Sequence, residues 1–285
     1  MKISTTCITT LLILPFFISC NDQSQTDSTD SGEETAQIMK TVNVEGREVE
    51  YATDSTKMKG YIAYDSDMEG KRPGVLIVHE WWGHTDYVRK RADMLAELGY
   101  VGFAVDMYGD GKKAEHPDDA KKYSGMVMKN MDEAKARFDE AYKQLANDPH
   151  VNPENISVIG YCFGGAVALS MANAGEALDG VAIFHSSVNV AVPPSEKLKA
   201  KVLVQNGAAD PFISPESVVE FKSKMDSLNA DYEYIQYAGA QHAYTNPGAT
   251  ELGQKFDLPL SYNLEADTTS WNKLKSFLSD LYPAN

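Results

Sequence analysis

Cysteine, basic residues and long apolar runs are all scarce in this chain. Three cysteines occur in 285 residues, and only Cys162 lies beyond the first twenty, so the body of the chain cannot form an internal disulfide. Asp and Glu number 41 against 26 Lys and Arg, which gives a formal net charge of −15. This balance argues against nucleic acid as a partner and against electrostatic binding to anionic lipid. The apolar run from Ile8 to Ile18 is too short for a membrane-spanning helix.

The first 36 residues are typical of export rather than of a folded domain. Lys2, the apolar run and the Ser19-Cys20 step predict a signal peptide over residues 1–19. The stretch from Phe17 to Cys20 resembles a bacterial lipoprotein processing site, so Cys20 is the expected point of lipid attachment. The alternative is a plain cleaved secretory signal in which Cys20 has no role.

Residues 20–36 are polar and acidic and predict a disordered tether. We therefore expect an exported protein, attached to a bacterial membrane only through its N-terminal lipid and facing the periplasm or the cell exterior.

Residues 37–285 predict one α/β domain without internal repeats. Alternating residues between 38 and 64 favour two or three antiparallel strands, and continuous apolar runs further on favour strands buried on both faces. Strands that alternate with helices predict a mainly parallel sheet covered by helices on both sides. The expected later strands lie at 73–80, 101–106, 156–159, 180–185, 201–207 and 231–237; the expected helices lie at 86–98, within 118–146, up to about 173, at 214–228 and at 268–281, with 239–264 irregular.

The segment from Ile156 to Gly165 has the pattern of a nucleophile elbow. A β-branched strand stops at Gly160, and Gly-x-Cys-x-Gly then opens a helical stretch, with Cys162 where α/β-hydrolases usually carry serine. A strained strand-to-helix turn requires small neighbours, and Gly160 and Gly164 satisfy that requirement. A thiolate at a helix N-terminus is also stabilised electrostatically. The alternative is a small buried cysteine beside a close helix–strand contact.

Asp210 and His242 follow Cys162 in the chain order that α/β-hydrolases use for their catalytic residues. In α/β-hydrolases the acid and the histidine follow the nucleophile on loops after later strands. Asp210 follows the strand at 201–207, and His242 follows the strand at 231–237. Alone, each has an ordinary explanation, as a turn residue or a solvated loop histidine. Together, and at the carboxyl ends of parallel strands, they predict a Cys-His-Asp triad.

These motifs resemble the dienelactone hydrolase family, the cysteine-nucleophile branch of the α/β-hydrolases. The likeness rests on three blocks: His79 to Gly83, Gly160 to Gly165, and Gly207 to Pro211 with Gly239 to Pro247. It extends from about residue 45 to 282 and implies an α/β-hydrolase fold.

The resemblance implies a role for each site residue and no cofactor or metal. Cys162 attacks a carbonyl carbon, His242 shuttles the proton and Asp210 orients the histidine. The backbone N–H groups of Phe163 and Trp81 would hold the oxyanion. A further member, Glu80, would interact with the cysteine and help to form the thiolate when substrate is bound; the alternative for Glu80 is a structural hydrogen-bond acceptor.

The chain departs from the family at the two arginines that hold a substrate carboxylate. The matching positions fall in Tyr108 to Asp110 and at Asn246, none of them basic. A carboxylate-bearing lactone is therefore a poor expected substrate. The aromatic residues of these blocks favour an apolar or flat acyl group, although each of them could instead pack in the core. The expected pocket residues are Trp82, Tyr108, Tyr244 and Asn246.

The expected function is hydrolysis of a small-molecule ester or lactone through a cysteinyl acyl-enzyme. A thioesterase or peptidase-like hydrolase on the same triad is one alternative. A non-catalytic binding lipoprotein on the hydrolase scaffold is another, because a fold by itself does not decide function.

Overall fold

The computed structural model of the protein describes residues 42–283. The predicted signal peptide, the tether and Cys20 lie outside these residues. The strands are β1 (Val44–Ala52), β2 (Lys57–Asp65), β3 (Arg72–Val78), β4 (Val101–Val105), β5 (Val151–Tyr161), β6 (Gly180–Phe184), β7 (Lys201–Gly207) and β8 (Tyr232–Tyr237). The helices are α1 (Asp86–Glu97), α2 (Pro117–Met128), α3 (Met131–Ala146), α4 (Phe163–Ala174), α5 (Pro215–Ser227), α6 (Ala249–Phe256) and α7 (Leu264–Leu281).

The eight strands form one sheet in the order β1-β2-β4-β3-β5-β6-β7-β8. The first two strands pair antiparallel, and β2 joins β4 antiparallel as well. Every other pairing is parallel. The fold class predicted from the sequence, an α/β-hydrolase fold with antiparallel strands at its N-terminal side, is confirmed.

The continuous apolar runs of the inner strands are explained by burial on both faces. In β3, Leu76 and Val78 point to one face and Val75 and Ile77 to the other, and all four are completely buried. Apolar side chains of α3, α4 and α5 cover the first face. Those of α1 and α7 cover the second. Because the strands are parallel, the loops that follow them emerge at one edge of the sheet.

Two elements begin well before the positions expected from the sequence. Strand β5 starts at Val151, because Val151 pairs with Arg72 before a shift in register leads to Ile156. Helix α7 starts at Leu264, where the side chain of Asn263 accepts a hydrogen bond from the N–H of Ala266 as a cap.

Helix α6 occupies part of the segment expected to be irregular. This helix contains Gly253, and a glycine inside a helix weakens the sequence pattern that predicts one. The glycine is required by packing, because a Cβ at this position would lie 2.4 Å from the carbonyl oxygen of Leu260. The apolar side of α6 packs on Trp82, beside the loops at the carboxyl edge of the sheet. Within residues 42–283 no helix combines the length and apolarity needed to cross a bilayer.

Candidate active site

Cys162 lies in the turn between β5 and α4 with a backbone conformation unusual for any residue but glycine. Its φ is 54° and its ψ is −118°, and its N–H donates to the carbonyl oxygen of Phe184 at 3.0 Å. Strained conformations of this kind persist only where the surroundings impose them, and they concentrate at functional sites. The turn presents the sulfur at the N-terminus of α4, where the helix dipole favours negative charge.

The glycines of the elbow allow the backbone segments around Cys162 to approach one another. A Cβ at Gly160 would lie 2.3 Å from the carbonyl oxygen of Gly164, and a Cβ at Gly164 would lie 2.3 Å from that of Val78. Neither backbone atom has room to move. The spacing of the glycines in the sequence is therefore a packing requirement of the turn.

Cys162, His242 and Asp210 are linked in one chain of contacts. The Cys162 Sγ lies 3.1 Å from His242 Nε2. On the other side of the ring, His242 Nδ1 donates to Asp210 Oδ2 at 2.7 Å. Asp210 and His242 are buried, whereas Cys162 is half-buried and open to a cavity. This is the geometry of a nucleophile, a base and a group that orients the base.

The loops that bear the acid and the histidine are fixed to each other by the backbone. The N–H of Ala209 donates to the carbonyl oxygen of Ala240 at 3.0 Å, and the N–H of Phe212 donates to Asp210 Oδ1 at 2.9 Å. The carbonyl oxygen of His242 accepts from the N–H of Ser261 at 3.1 Å. The orientation of both side chains is therefore determined before any ligand binds.

The surroundings of His242 favour its charged form. Burial by itself lowers the pKa of His242, but the Cys162 sulfur and the Asp210 carboxylate outweigh it and raise the pKa to about 10. An imidazolium next to a cysteine sulfur stabilises the thiolate, the reactive form of the side chain.

Glu80 is buried at the end of β3 and is hydrogen-bonded to Asn246. The Asn246 Nδ2 donates to Glu80 Oε2 at 2.6 Å. Burial raises the pKa of Glu80 to about 7, although the hydrogen bond from Asn246 and the positive charge of His242 act to lower it. Among residues 42–283 the polar partner of this carboxylate is Asn246. The contact with Cys162 that the resemblance implies concerns the substrate-bound state and stays a prediction.

A cavity of about 270 Å³ opens in front of the Cys162 sulfur. Apolar side chains predominate in its wall, and no aspartate, glutamate, lysine or arginine lines it. Its lining residues are Trp81, Cys162, Phe163, Ala166, Ser187, Phe212, Ile213, His242, Leu258 and Leu260.

Four residues expected in the pocket lie elsewhere. Trp82 packs against Phe256 of α6, Tyr244 is completely buried, and Asn246 binds Glu80. Tyr108 is also buried. The tyrosines use their hydroxyl groups structurally, because Tyr108 donates to the carbonyl oxygen of Trp81 at 2.8 Å and Tyr244 to that of Gln205 at 3.0 Å. Buried tyrosines commonly place the hydroxyl on a backbone acceptor, and this explains why aromatic residues close to the site motifs do not face the cavity.

Sequence reasoning missed much of the actual wall. Phe212 and Ile213 directly follow the Asp210-Pro211 step, and this position beside a site residue indicates that they lie near the cavity. Leu258 and Leu260 come from the segment expected to be irregular, and no local pattern in that segment indicates a cavity. The ring of Phe212 lies edge-on to His242, with 4.9 Å between the ring centroids.

Two backbone donors at the cavity have no protein acceptor. Within the described residues, neither the N–H of Trp81 nor that of Phe163 donates to another protein group. Both residues line the cavity together with Cys162. In the same part of the chain, no group of three or more His, Cys, Asp or Glu side chains is arranged to hold a metal ion.

Comparison with known proteins identifies the family to which this chain belongs. The model of the dienelactone hydrolase family matches residues 58–282. Protein usf of Aquifex pyrophilus is 30% identical over 208 residues, which cover 70% of this chain and 87% of the relative. A protein of Aquifex aeolicus with the name "Putative carboxymethylenebutenolidase" is 28% identical over 206 residues, 70% of this chain and 87% of the relative.

A solved structure of a protein with a related sequence has a similar fold. A dienelactone hydrolase-like promiscuous phosphotriesterase, P91, from metagenomic libraries superposes with a TM-score of 0.78 at 28% identity, covering 84% of this chain and 99% of the other. The residues matched by the family model, 58–282, contain strands β3 to β8 and the loops that bear Cys162, Asp210 and His242. The chain belongs to the dienelactone hydrolase family and is a carboxylic ester hydrolase.

Proposed function

We propose that the protein hydrolyses an ester or lactone through a cysteinyl acyl-enzyme on Cys162. The observation that carries this proposal is the contact chain from the Cys162 sulfur through His242 to Asp210, located at a strained elbow and open to a cavity. A thiol in an ordinary buried site would have neither the charged partner nor the access to a ligand.

In the first half-reaction the Cys162 thiolate adds to the carbonyl carbon of the ester. The carbonyl oxygen becomes an oxyanion and accepts hydrogen bonds from the N–H groups of Phe163 and Trp81. The tetrahedral intermediate collapses as the C–O bond breaks, and His242 gives its proton to the departing alkoxide. The products are an alcohol and a thiol ester on Cys162; from a lactone, the alcohol stays attached to the acyl group.

In the second half-reaction the neutral His242 takes a proton from water, and the resulting hydroxide adds to the thiol ester carbon. The same two N–H groups bind the new oxyanion. The C–S bond then breaks, the carboxylic acid leaves, and the thiolate–imidazolium pair is restored. Asp210 stabilises the imidazolium and keeps Nδ1 protonated throughout.

The cavity favours a neutral substrate with a small apolar acyl group. Its wall lacks basic side chains apart from His242, so a substrate carboxylate would have no counter-ion besides the catalytic histidine. A volume of about 270 Å³ is small for a ligand site, and only part of an extended ester fits within it.

Neutral phosphotriesters are a second candidate substrate class. They share with esters an electrophilic centre, an oxygen that becomes negative on attack and the absence of net charge. A cavity wall without Asp, Glu, Lys or Arg side chains would admit them, and the neighbour P91 carries phosphotriesterase in its name.

The test is the turnover of a panel by the wild-type protein and by Cys162→Ala. The panel contains p-nitrophenyl esters of short acids, a neutral lactone, a carboxylate-bearing lactone, an acyl thioester, a peptide anilide and a neutral p-nitrophenyl phosphotriester. We expect neutral esters or lactones to be the best substrates and Cys162→Ala to lose the activity. Acid quenching during turnover traps the acyl group on Cys162, and mass spectrometry of the quenched protein then detects this intermediate.

Undiminished ester hydrolysis by Cys162→Ala would overturn the mechanism. A clear preference for thioesters or anilides would instead favour the thioesterase or peptidase-like alternative. Inactivity on the whole panel, together with slow alkylation of Cys162 by iodoacetamide near neutral pH, would favour a binding role. Cys162→Ser serves as the matched variant, because serine keeps the size of the side chain but does not form a stable anion there.

We also propose that the protein is exported and attached to a membrane by lipid on Cys20. The support is the signal-like sequence of residues 1–19 and the polar segment that follows. Membrane fractionation of cells that express the wild type or Cys20→Ala tests it, together with the intact mass of the mature protein. A mature N-terminus without lipid mass would contradict the proposal.

A further inference from the structure

His79, at the end of β3, links two backbone segments beside the cavity. The side chain is completely buried, and it is absent from the cavity wall. Its Nε2 accepts from the N–H of Met107 at 3.2 Å, and its Nδ1 lies 2.6 Å from the carbonyl oxygen of Glu80. Since a backbone N–H can only donate, the ring proton must be on Nδ1, which donates to the Glu80 carbonyl. Burial lowers the pKa of His79 to about 4, so the ring is neutral at physiological pH.

The Glu80 carbonyl belongs to the same peptide unit as the N–H of Trp81. No peptide bond among the described residues is cis, so the carbonyl and the N–H of this unit point in opposite directions in one plane. A hydrogen bond that fixes the carbonyl toward His79 therefore also fixes the direction of the N–H, away from His79.

The next carbonyl along the chain is held as well. The hydroxyl of Tyr108 donates to the carbonyl oxygen of Trp81 at 2.8 Å. The His79 ring contacts that tyrosine edge-on, with 4.6 Å between centroids, and lies 5.8 Å from the ring of Phe163 at an angle of 28°. The histidine thus contacts structural elements on both sides of the proposed oxyanion site.

We infer that His79 is a positioning residue that aims the Trp81 N–H at the developing oxyanion. The inference rests on the proposed function and deepens it. His79 touches neither the substrate nor the reacting atoms, and acts through the Glu80–Trp81 peptide unit. The Glu80 carbonyl also accepts from the N–H of Gly83 at 3.1 Å. Without the His79 hydrogen bond this unit is held by one bond instead of two, and one of the two oxyanion donors then loses its alignment while Cys162, His242 and Asp210 keep theirs.

The experiment compares His79→Leu, His79→Gln and a matched control, His84→Leu, as full-length proteins. Glutamine can donate to the Glu80 carbonyl and accept from Met107, whereas leucine can do neither. His84 is also buried and contacts a backbone carbonyl, that of Ala104 at 3.0 Å, but this carbonyl belongs to β4 and not to the peptide unit that carries the Trp81 N–H. Its variant therefore measures the general effect of removing a buried histidine.

For ester hydrolysis we expect His79→Leu to lower kcat by about 10- to 100-fold with KM changed less than about threefold, below the roughly 10²- to 10³-fold cost of removing an oxyanion donor. His79→Gln should recover most of the loss, and His84→Leu should keep kcat within about threefold. If His79→Leu does not fold, His79→Met replaces it, because methionine likewise cannot donate to the Glu80 carbonyl. His79→Met should lower kcat and leave KM nearly unchanged.

Equal losses of kcat in His79→Leu and His84→Leu would overturn the inference, as would a failure of glutamine to recover the rate or a wild-type kcat in His79→Met. Cys162→Ala, assayed in the same experiment, distinguishes a failure of the positioning role of His79 from a failure of the proposed function. If Cys162→Ala is inactive and the His79 variants turn over normally, the positioning role alone is wrong. If Cys162→Ala is active, the proposed function is wrong and the positioning role falls with it.

Discussion

Above neutral pH, Glu80→Gln should have a larger free energy of unfolding than the wild type, by an amount that the burial of Glu80 determines. Its carboxyl has a pKa of about 7 in the folded protein against an ordinary value of 4.5. At about 1.4 kcal/mol per pKa unit, this difference corresponds to about 3 kcal/mol. Because the folded-state pKa is raised, the contribution to stability is present at low pH and is lost as the pH rises through 7. Glutamine remains neutral and can still accept from Asn246.

The measurement is urea unfolding of the wild type and of Glu80→Gln at several pH values between 5 and 8. The free energy of unfolding of the variant minus that of the wild type should increase by about 2 to 3 kcal/mol over this range. Taking the difference removes the titration of all other groups. Glu69→Gln, at an exposed glutamate, is the control and should give a flat difference.

A flat difference for Glu80→Gln would refute the reasoning. It would mean that the Glu80 carboxyl is hydrated or charge-compensated in the folded protein, so that its ionisation costs no more than in the unfolded chain. A difference that decreases with pH would mean that the ionised form is stabilised by folding, the reverse of the effect of burial.

Three more expectations concern the elbow and the proposed triad. Gly164→Ala should destabilise the protein by about 2 kcal/mol or more, since the new Cβ would meet backbone at 2.3 Å. Gly125→Ala, on α2 with open space around it, should stabilise by about 1 kcal/mol, and urea unfolding that ranks the two alike would contradict this. Asp210→Asn should lower kcat by about 10³- to 10⁴-fold with little change in KM, and steady-state kinetics that show a normal kcat would exclude an orienting role. His242→Asn should slow alkylation of Cys162 by iodoacetamide at pH 6 by about tenfold or more, because the cation with a pKa near 10 is removed; equal rates by peptide mass mapping would count against the ion pair.

The parts of the site that a local pattern defines could be predicted from the sequence. Gly160 is required by a backbone contact within the turn and Gly164 by a contact with Val78 of the neighbouring strand. Both glycines lie within a few adjacent residues, so the elbow is visible as a local pattern. Asp210 and His242 each follow a strand directly, and parallel strands bring such positions to one edge. The fold class follows from the same alternation of strands and helices.

The cavity wall and the contacts of Glu80 depend on segments far apart in the sequence. Leu258 and Leu260 reach the cavity only because α6 and the loop after it fold back over the sheet edge. Glu80 lies 166 residues from its partner Asn246. The side chain of Tyr108 could equally have faced the cavity or the interior, and its hydrogen bond to the Trp81 carbonyl decides between them.

The histidine of the site is attached to the least covered strand of the parallel part of the sheet. Strand β8 lies at the sheet edge, and its residues are only partly buried or exposed. Regions of this kind open with less free energy than the whole domain needs to unfold. The contact between His242 and Cys162 can therefore break while the strands from β3 to β7 remain packed. We therefore expect catalytic competence to be lost before the domain as a whole unfolds, and to be regained more easily.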